Sequence, residues 1–550
     1  MPYSTINGEN AATKLTALTA AGPEPRWAAV GIISSDIDKS VVAGLGHYAS
    51  FLVIKPTAGI FPTATGATAL TLPVATDALN LGQIIGGAGA AGNSLSAGAA
   101  GGVAVYLDGG RLANAGTLAG GTGGQGTAGG SGGAGLMSYH GEGRNSGLIE
   151  GGVGARGTDA KQVAGVGGDG IVMASSSFTN TGTIEGGLGG AGLDGQGGIG
   201  ASVRHGDLVN DGTIVGGAGI GAGGVGVLLN GGTLIDQGGL IAGADGADAV
   251  RLGAVAATVA LYAGARFVGE VSANTQANDA LLLAGTTIGT LDGLGSEFVG
   301  FSTLSVAAGA HWTVAGADSF AGTVNLGGGS TLTASGVLTL TGPVSSAGTM
   351  EALAGATVAM NSPAGTTLDL SGVIRGAGML ALYGGQFRLD DASNTLQVAS
   401  LNVTPNGVLA AAGDIAAAVT NDGTITTEAN ATLIFAGVAT GTGVLDVLNG
   451  SSLDLPAGVG AGQTIAFDAA DGVLGLANLG GFQGTIVAFA PGDKIDLVNT
   501  TATSEVYSQG TLTLYDGAMS VGCMRIDGNY STASFTLGAD GHGGTDITTK

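Results

Sequence analysis

An octapeptide that begins with asparagine and ends in two glycines recurs about every thirty residues in the first half of the chain. Its form is Asn-x-Gly-x-(Leu/Ile)-x-Gly-Gly, where x varies from copy to copy. The copies begin at Asn80, Asn114, Asn145, Asn180 and Asn210, which lie 34, 31, 35 and 30 residues apart, and a divergent copy has Asp236 in the asparagine position. A repeat of this length is typical of a solenoid, in which each repeat is one coil stacked on the previous one.

Each repeat combines two strand-like segments with a glycine-rich tract. The first segment resembles residues 102–107, the second is the asparagine motif, and residues 120–126 exemplify the tract. We predict that the tracts are loops with positive φ angles and close backbone approach. The repeat asparagines are expected to occupy left-handed corners and to hydrogen-bond from coil to coil as a ladder.

The composition favours an all-β protein. Charged residues make up 10% and hydrophobic residues 44% of the chain, whereas disordered chains are more charged and less apolar. The nearest approach to a membrane span, residues 249–269, contains Arg251 and Arg266, so we predict no membrane insertion. A net charge of −24 disfavours nucleic acid as a partner. The single cysteine, Cys523, excludes an internal disulfide and is predicted to be buried in a strand.

Changes in composition and in repeat length divide the chain into four zones. Residues 1–75 are rich in proline and are predicted to form an atypical N-terminal cap or an assembly arm. Residues 76–270 are the glycine-rich solenoid, residues 271–488 form tighter coils, and residues 489–550 form a C-terminal β cap that could carry a secretion signal. Residues 414–419 are the only short helical candidate. If the first zone is an arm, the apolar run Phe51, Leu52, Val53 and Ile54 is its candidate for strand addition to a neighbouring subunit.

From about residue 76 the chain resembles the β-strand-repeat exoproteins of Gram-negative bacteria, which include autotransporter passengers and large adhesins. The resemblance lies in the asparagine array, in residues 294–314, and in the C-terminal block from 489–497 through 535–547. It implies a right-handed parallel β-helix, an extracellular location, and a role in adhesion or matrix. The chain lacks the autotransporter's translocator and shows no signal peptide at its start, so we expect type I-like export that reads the C-terminus.

Two partial motifs raise calcium as a ligand. Residues 189–194 match the start of the calcium-binding nonapeptide Gly-Gly-x-Gly-x-Asp, and residues 243–248 match it in part. The candidate ligands are Asp194, Asp245 and Asp248. The motif is not repeated in tandem, as shared calcium sites require, so solvated corner aspartates are the alternative interpretation.

Enzyme chemistry has weaker support. Parallel β-helices include polysaccharide lyases and hydrolases that use clustered carboxylates and bases. The best local group is Arg388, Asp390 and Asp391, with Asp369 and Arg375 a coil away, although charges at loop tips that serve solubility are the favoured explanation. The pair His311-Trp312 fits either an exposed sugar-binding pair or a core tryptophan beneath a surface histidine. The five histidines share no metal-ligand spacing. We therefore predict that the protein is not an enzyme.

These features predict a secreted structural protein that associates with copies of itself, head to tail, into an extracellular filament, matrix or surface layer. Heterologous contact between solenoid ends gives open polymers. The alternative is a monomeric adhesin that binds polysaccharide or a cell surface through its glycine-rich loops, and a β-helical polysaccharide lyase or hydrolase is the third choice. No cofactor other than calcium is expected.

Overall fold

The computed structural model describes residues 30–157, 163–361, 367–369, 372–389, 396–468 and 470–550. Its regular structure is β-strand, apart from two short 3-10 turns at Leu479–Gly481 and Thr532–Ser534. The prediction of an all-β protein is confirmed. The helical prediction for residues 414–419 is wrong, because Gly413–Ile415 and Ala418–Asn421 are strands. Burial in this stretch alternates residue by residue, which is the period of a half-buried strand.

The strands are short and are numbered in chain order. The first half contains β1 (Val30–Ile33), β2 (Val41–Val42), β3 (Phe51–Ile54), β4 (Gly59–Ile60), β5 (Leu70–Pro73), β6 (Asp77–Asn80), β7 (Gln83–Ile85), β8 (Val105–Asp108), β9 (Arg111–Asn114), β10 (Thr117–Ala119), β11 (Leu136–Tyr139), β12 (Glu142–Asn145), β13 (Leu148–Glu150), β14 (Ile171–Ala174), β15 (Ser177–Asn180), β16 (Thr183–Glu185), β17 (Ala201–Asn210), β18 (Thr213–Val215), β19 (Val227–Asp236), β20 (Leu240–Ala242), β21 (Val250–Leu252), β22 (Ala257–Leu261), β23 (Arg266–Val268), β24 (Val271–Ser272), β25 (Ala280–Leu283) and β26 (Gly289–Asp292). The second half contains β27 (Phe298–Val299), β28 (Thr303–Val306), β29 (His311–Ala315), β30 (Ala317–Phe320), β31 (Thr323–Leu326), β32 (Thr331–Ala334), β33 (Val337–Leu340), β34 (Val344–Ser346), β35 (Thr349–Ala352), β36 (Thr357–Asn361), β37 (Thr367–Asp369), β38 (Val373–Leu389), β39 (Gln397–Val403), β40 (Gly407–Ala411), β41 (Gly413–Ile415), β42 (Ala418–Asn421), β43 (Thr424–Thr427), β44 (Thr432–Phe435), β45 (Ala439–Thr440), β46 (Val444–Val447), β47 (Ser452–Asp454), β48 (Thr464–Phe467), β49 (Val473–Gly475), β50 (Thr485–Val487), β51 (Lys494–Leu497), β52 (Ser504–Ser508), β53 (Thr511–Asp516), β54 (Met519–Asp527), β55 (Phe535–Ala539) and β56 (Thr545–Thr549).

The chain forms two compact units. The first comprises the described residues up to Ser202 together with Thr213–Gly226, and the second comprises Val203–Gly212 and the described residues from Val227 onward. In the first unit each repeat contributes three strands, and each strand pairs in parallel with its equivalents in the neighbouring repeats. Strands β5, β8, β11 and β14 thus lie side by side, and β6, β9, β12 and β15 form a second such row in the same sheet. Strands β7, β10, β13 and β16 form a third row, in a separate sheet.

The core of the first unit lies between these parallel sheets. Side chains alternate across each strand, so every second residue faces inward. In the row formed by β7, β10, β13 and β16, the inward residues Ile84, Leu118, Ile149 and Ile184 stack in register and have no exposed surface. The isoleucine or leucine of each asparagine motif is therefore conserved in position because it fills the same place in successive layers of the core.

Parallel pairing begins well before residue 76. Strand β3 pairs with β1 on one side and with β6 on the other, and β5 pairs with β8. Residues 30–75 thus share the fold of the repeats that follow, and the change of composition near residue 75 is not a structural boundary. The part of the predicted cap or arm that precedes residue 30 lies outside the described residues.

The second unit keeps parallel pairing over shorter repeats. Leu283 pairs with Val306, and Val306 with Leu326, so successive repeats here are about twenty residues long. The pattern changes after β51, where β52, β53 and β54 pair in antiparallel fashion, as do β51, β56 and β55. Strand β54 still pairs in parallel with β50. The antiparallel strands cover sheet edges that would otherwise be open to pairing.

Candidate functional site

A ladder of buried asparagines connects the repeats of the first unit. Asn80 donates from Nδ2 to Oδ1 of Asn114 at 2.8 Å, Asn114 donates likewise to Asn145 at 2.8 Å, and Asn145 donates to Asn180 at 2.9 Å. Each of the four side chains is at most 2% exposed. Each Nδ2 also donates to a backbone carbonyl two residues ahead, as Asn145 does to Gly147. The predicted asparagine ladder is confirmed.

The prediction that these asparagines sit in left-handed corners is wrong. Each is the last residue of a strand, and left-handed non-glycine residues occur elsewhere, for example at His140 and Ser175. The asparagine turns the chain through its side chain instead. Oδ1 of Asn145 accepts from the N–H of Gly147 at 3.1 Å, while Nδ2 donates to the carbonyl of the same residue. The amide thus satisfies backbone groups that the corner would leave unpaired.

In the second unit, Asp236 occupies the equivalent position and accepts without donating. Asn210 Nδ2 lies 3.5 Å from Oδ2 of Asp236. Oδ1 of Asp236 accepts from the N–H groups of Gly239 at 2.7 Å and Gly238 at 3.1 Å. The next residue in register is Leu261, which cannot accept a hydrogen bond through its side chain. Burial raises the pKa of Asp236 to about 6, although the bonds from Gly239, Gly238 and Asn210 oppose this rise. A carboxyl group therefore ends the polar ladder where the position turns aliphatic.

The glycine tracts of the first unit form hydrogen bonds with a period of three residues. Gly86, Gly89 and Gly92 donate to the carbonyls of residues 119, 122 and 125 in the next repeat. Gly98, Gly101 and Ala104 donate in the same way to residues 128, 131 and 134. Three residues per turn without bonds inside the segment is the geometry of polyproline II-type backbone. We call the segment after the isoleucine strand the outgoing tract and the segment leading to the next repeat's first strand the return tract.

Glycines bring outgoing and return tracts into direct backbone contact. Gly121 donates to Gly102 at 2.8 Å, Gly133 donates to Gly121 at 2.8 Å, and Gly152 donates to Gly133 at 2.8 Å. A Cβ atom on Gly120 would overlap the carbonyl oxygen of Gly133. The predicted close approach is confirmed. The predicted positive φ is wrong for these glycines, because glycine is required here by the lack of space for a side chain and not by a left-handed backbone.

Every third residue of each tract points away from the other tract, which creates two flat faces. The faces lie on opposite sides of the paired tracts, because the remaining two residues of each triplet are occupied by tract-to-tract and repeat-to-repeat contacts. The outgoing face consists of Ala88, Ala91, Thr122, Gln125, Val153, Arg156, Leu188, Ala191 and Ala218. The return face consists of Ala97, Ala100, Ala128, Ser131, Val163, Val166, Leu193, Gln196 and Ala222.

Both faces expose aliphatic side chains to solvent. On the return face Val166 is 42% and Leu193 52% exposed, and on the outgoing face Val153 is 41% and Leu188 53% exposed. The faces differ in charge. The nine residues of the return face are all uncharged, whereas the outgoing face contains Arg156 and adjoins a row in which Glu150 and Glu185 lie in register. Burial and the neighbouring Glu185 raise the pKa of Glu150.

The three candidate calcium ligands do not form a cluster. Asp194 and Asp245 are exposed and have positive φ angles of 57° and 49°, which is the conformation of tight turns. Asp248 accepts from Arg251 at 2.7 Å and from Ser272 at 2.9 Å. Among the described residues, no group of three or more histidine, cysteine or acidic side chains could hold a metal ion. Calcium binding stays a prediction, and the geometry of these residues does not strengthen it.

The run predicted to join subunits lies inside a sheet. Phe51–Ile54 is strand β3, which has parallel partners on both edges, and Leu52 and Ile54 are buried. Its backbone groups are already paired, so Phe51, Leu52, Val53 and Ile54 have no open edge for strand addition. This corrects the predicted site of the joint, while assembly through another part of the first zone stays a prediction.

The candidate glycan-active group is organised by ion pairs. Arg388 donates from Nε to Glu428 at 2.7 Å, and Arg375 lies 4.0 Å from Glu351. Asp390, Asp391 and the Asp369 side chain lie outside the described residues.

Trp312 is 2% exposed and donates to the Ala284 carbonyl at 3.1 Å, so the core-tryptophan interpretation of His311-Trp312 is confirmed. The burial predicted for Cys523 is wrong, because its thiol is exposed.

The two faces were missed at the sequence level although the chain carries a signal for them. Triplets of the form Gly-Gly-x run through segments such as residues 120–125 and 186–191. Two glycines in every three residues match a backbone with three residues per turn and two crowded sides. Counting the glycine spacing within the tracts, rather than between repeats, would have predicted one row of outward side chains per triplet.

No protein-family model matches the sequence, and a search of curated proteins finds no match either. In the part of the chain that the structure describes, no helix has the length and apolar character needed to cross a bilayer.

Proposed function

We propose that this chain is a structural protein whose parallel sheets wind as a right-handed β-helix and which associates with copies of itself outside the cell. Right-handed connections are the rule between parallel strands of one sheet. The assembly would be a filament, matrix or surface layer that supports adhesion. The resemblance to β-strand-repeat exoproteins supports the extracellular location, and export by a type I-like route belongs to the same proposal.

The observation that carries the proposal is the regular exposure of aliphatic side chains on the glycine tracts. Monomeric proteins rarely keep large apolar patches in contact with water, so such patches usually mark interaction sites. Here the exposed residues recur at equivalent positions, as Val153 and Leu188 do on adjacent repeats. A surface that repeats along the molecule suits contact with another surface of the same spacing, and a second copy of the chain provides one.

The C-terminal strands bear on how copies would join. Because β52–β54 and β55–β56 cover the end of the parallel sheets, head-to-tail contact by strand pairing would have to displace them. Contact through the glycine tracts of the first unit needs no such rearrangement. The proposal therefore includes lateral contacts beside the head-to-tail arrangement expected from the sequence.

Sedimentation velocity of the purified protein over a wide concentration range tests self-association. We expect the weight-average sedimentation coefficient to rise with protein concentration, and to do so in buffer containing a calcium chelator. A single species with the mass of one chain at every concentration would overturn the proposal.

A second candidate function is binding of polysaccharide through the outgoing face. Thr122, Gln125 and Arg156 offer hydrogen-bonding groups at regular spacing on that face. Screening the protein against immobilised acidic and neutral polysaccharides tests this candidate. Assaying the eluted glycans for cleavage, with Asp390→Asn and Asp391→Asn variants as controls, tests the enzymatic alternative.

A further inference from the structure

We infer that the return face is the surface through which two copies of this chain pair, each return face packing against the other about a two-fold axis. The inference rests on the proposed self-association and names its contact surface. In a two-fold contact the same patch serves both partners, so the patch must be compatible with itself. The two faces of the glycine tracts differ in this respect.

Charge favours the return face over the outgoing face. The whole chain carries a net charge of −24, so two copies repel each other over most of their surfaces. The return face presents alanine, valine, leucine, serine and glutamine. The described acids nearest to it are the exposed Asp194, which follows Leu193 at the outer edge of the face, and Asp169 in the half-buried row on its inner side. Asp169 accepts a hydrogen bond from the N–H of Ile199 at 3.0 Å, which holds its carboxylate against the backbone.

The outgoing face is less suited to pairing with itself. The carboxylates of Glu150 and Glu185 lie in register along its inner row, and Arg156 lies between its aliphatic residues. A two-fold contact would bring the glutamate rows of both copies to the same interface. Like charges that are brought together and partly desolvated oppose association.

The area of the return face suits a weak, reversible interface. Its two rows, three residues apart, span roughly 9 Å along a polyproline II-type tract. Five repeats at a spacing of roughly 4.8 Å span roughly 19 Å across the tracts. With side-chain radii included, each face covers roughly 400 Å², so a pair of faces buries roughly 800 Å² in total, which is in the range of weak, transient interfaces.

Backbone rigidity compensates in part for this small area. The N–H groups of Gly132 and Gly167 donate to the carbonyls of Val166 and Gln196, so the backbone beneath the face is fixed by hydrogen bonds between repeats. Side chains on the face are short, and alanine and valine lose little rotamer freedom on burial. A preorganised surface loses less entropy on association than a mobile one.

The experiment compares two matched double variants by sedimentation velocity of the full chain. Val166→Glu with Leu193→Glu places two carboxylates on the return face. Val153→Glu with Leu188→Glu places two carboxylates on the outgoing face, and the exposures are nearly equal, at 42% and 52% against 41% and 53%. Circular dichroism and the urea unfolding midpoint of each variant confirm that it folds like the wild type.

We expect the return-face variant to weaken dimer formation at least roughly a hundredfold, since each carboxylate would be buried unpaired. The outgoing-face variant is expected to change it less than roughly threefold. Unchanged dimerisation of the folded return-face variant would overturn the inference while leaving self-association intact, as would an equal loss in both variants. A monomeric wild type would overturn both proposals. If the return-face variant does not fold, the single variants Leu193→Ser on the return face and Leu188→Ser on the outgoing face are compared instead. We then expect Leu193→Ser to weaken dimer formation more than Leu188→Ser does, by a smaller factor than for the charged variants.

Discussion

Asn114 donates a hydrogen bond from Nδ2 to Oδ1 of Asn145 at 2.8 Å, although the two residues are 31 positions apart in the chain. Their strands, β9 and β12, pair in parallel with these residues directly opposite each other. An amide carries both donors and an acceptor, so it can bond to an identical neighbour on each side. This property explains why asparagine recurs at a position that isoleucine or leucine fills in other repeats.

Replacement of Asn145 by alanine should destabilise the first unit by about 2–4 kcal/mol, because it leaves buried polar groups of two neighbours without their ladder partners. Asn80→Ala is the matched variant, since Asn80 has an asparagine on one side and Ile54 on the other. Urea unfolding should show a smaller loss of stability for Asn80→Ala. Equal midpoints for wild type and Asn145→Ala would contradict the structural role of the ladder.

Asp236 should make stability depend on pH. Burial raises its pKa to about 6 in the folded protein, above the ordinary value of 3.8, so the folded state holds the proton more tightly than the unfolded state. The stabilising contribution is therefore present in full below about pH 4 and is lost as the pH rises through about 6, a change of about 3 kcal/mol.

The Asp236→Asn variant isolates this contribution from those of the other carboxylates. We expect the difference in unfolding free energy between wild type and variant to change between pH 4 and pH 7, with the wild type gaining relative stability as the pH falls. Urea titrations at several pH values give this difference. A difference that does not vary with pH would mean that Asp236 ionises normally in the folded chain.

Gly133→Ala should destabilise the protein by about 3 kcal/mol or more, because the added methyl group would overlap the Gly102 carbonyl oxygen. Gln125→Ala removes an outward side chain from the same repeat and should change stability by less than about 0.5 kcal/mol. Chemical denaturation of both variants measures the contrast. Comparable stability of the two variants would show that the tracts are not tightly packed.

The Cys523 thiol should react in the folded protein. It lies on β54 between Gly522 and the buried Met524, and its own side chain faces solvent. A maleimide reagent should therefore label native protein within severalfold of the rate for unfolded protein, as mass spectrometry would show. Labelling that requires denaturant would restore the prediction of a buried thiol.

The repeats were predictable because they depend on spacing and on amide chemistry. The period placed Asn80 and Asn114 in equivalent positions, and stacked asparagines have one obvious way to bond. Alternation of apolar residues likewise indicated the strands of the second unit. These features follow from local pattern, which a single sequence displays directly.

Other features depended on what lies beside a residue in space. Phe51–Ile54 looks like a free apolar strand in the sequence, yet β1 and β6 occupy both of its edges. The exposure of Cys523 depends on which face of β54 is covered, and a shift by one residue reverses that outcome. In the tracts, glycine suits a positive φ as well as close packing, and only the neighbouring carbonyls distinguish these two reasons for glycine.

Electron microscopy of the concentrated wild-type protein, stained in buffer with a calcium chelator, tests the central claim of self-association most directly. We predict pairs of particles and larger assemblies built from them, and we predict that Val166→Glu with Leu193→Glu separates the pairs while Val153→Glu with Leu188→Glu does not. Fields of separate single particles at every wild-type concentration would contradict the account.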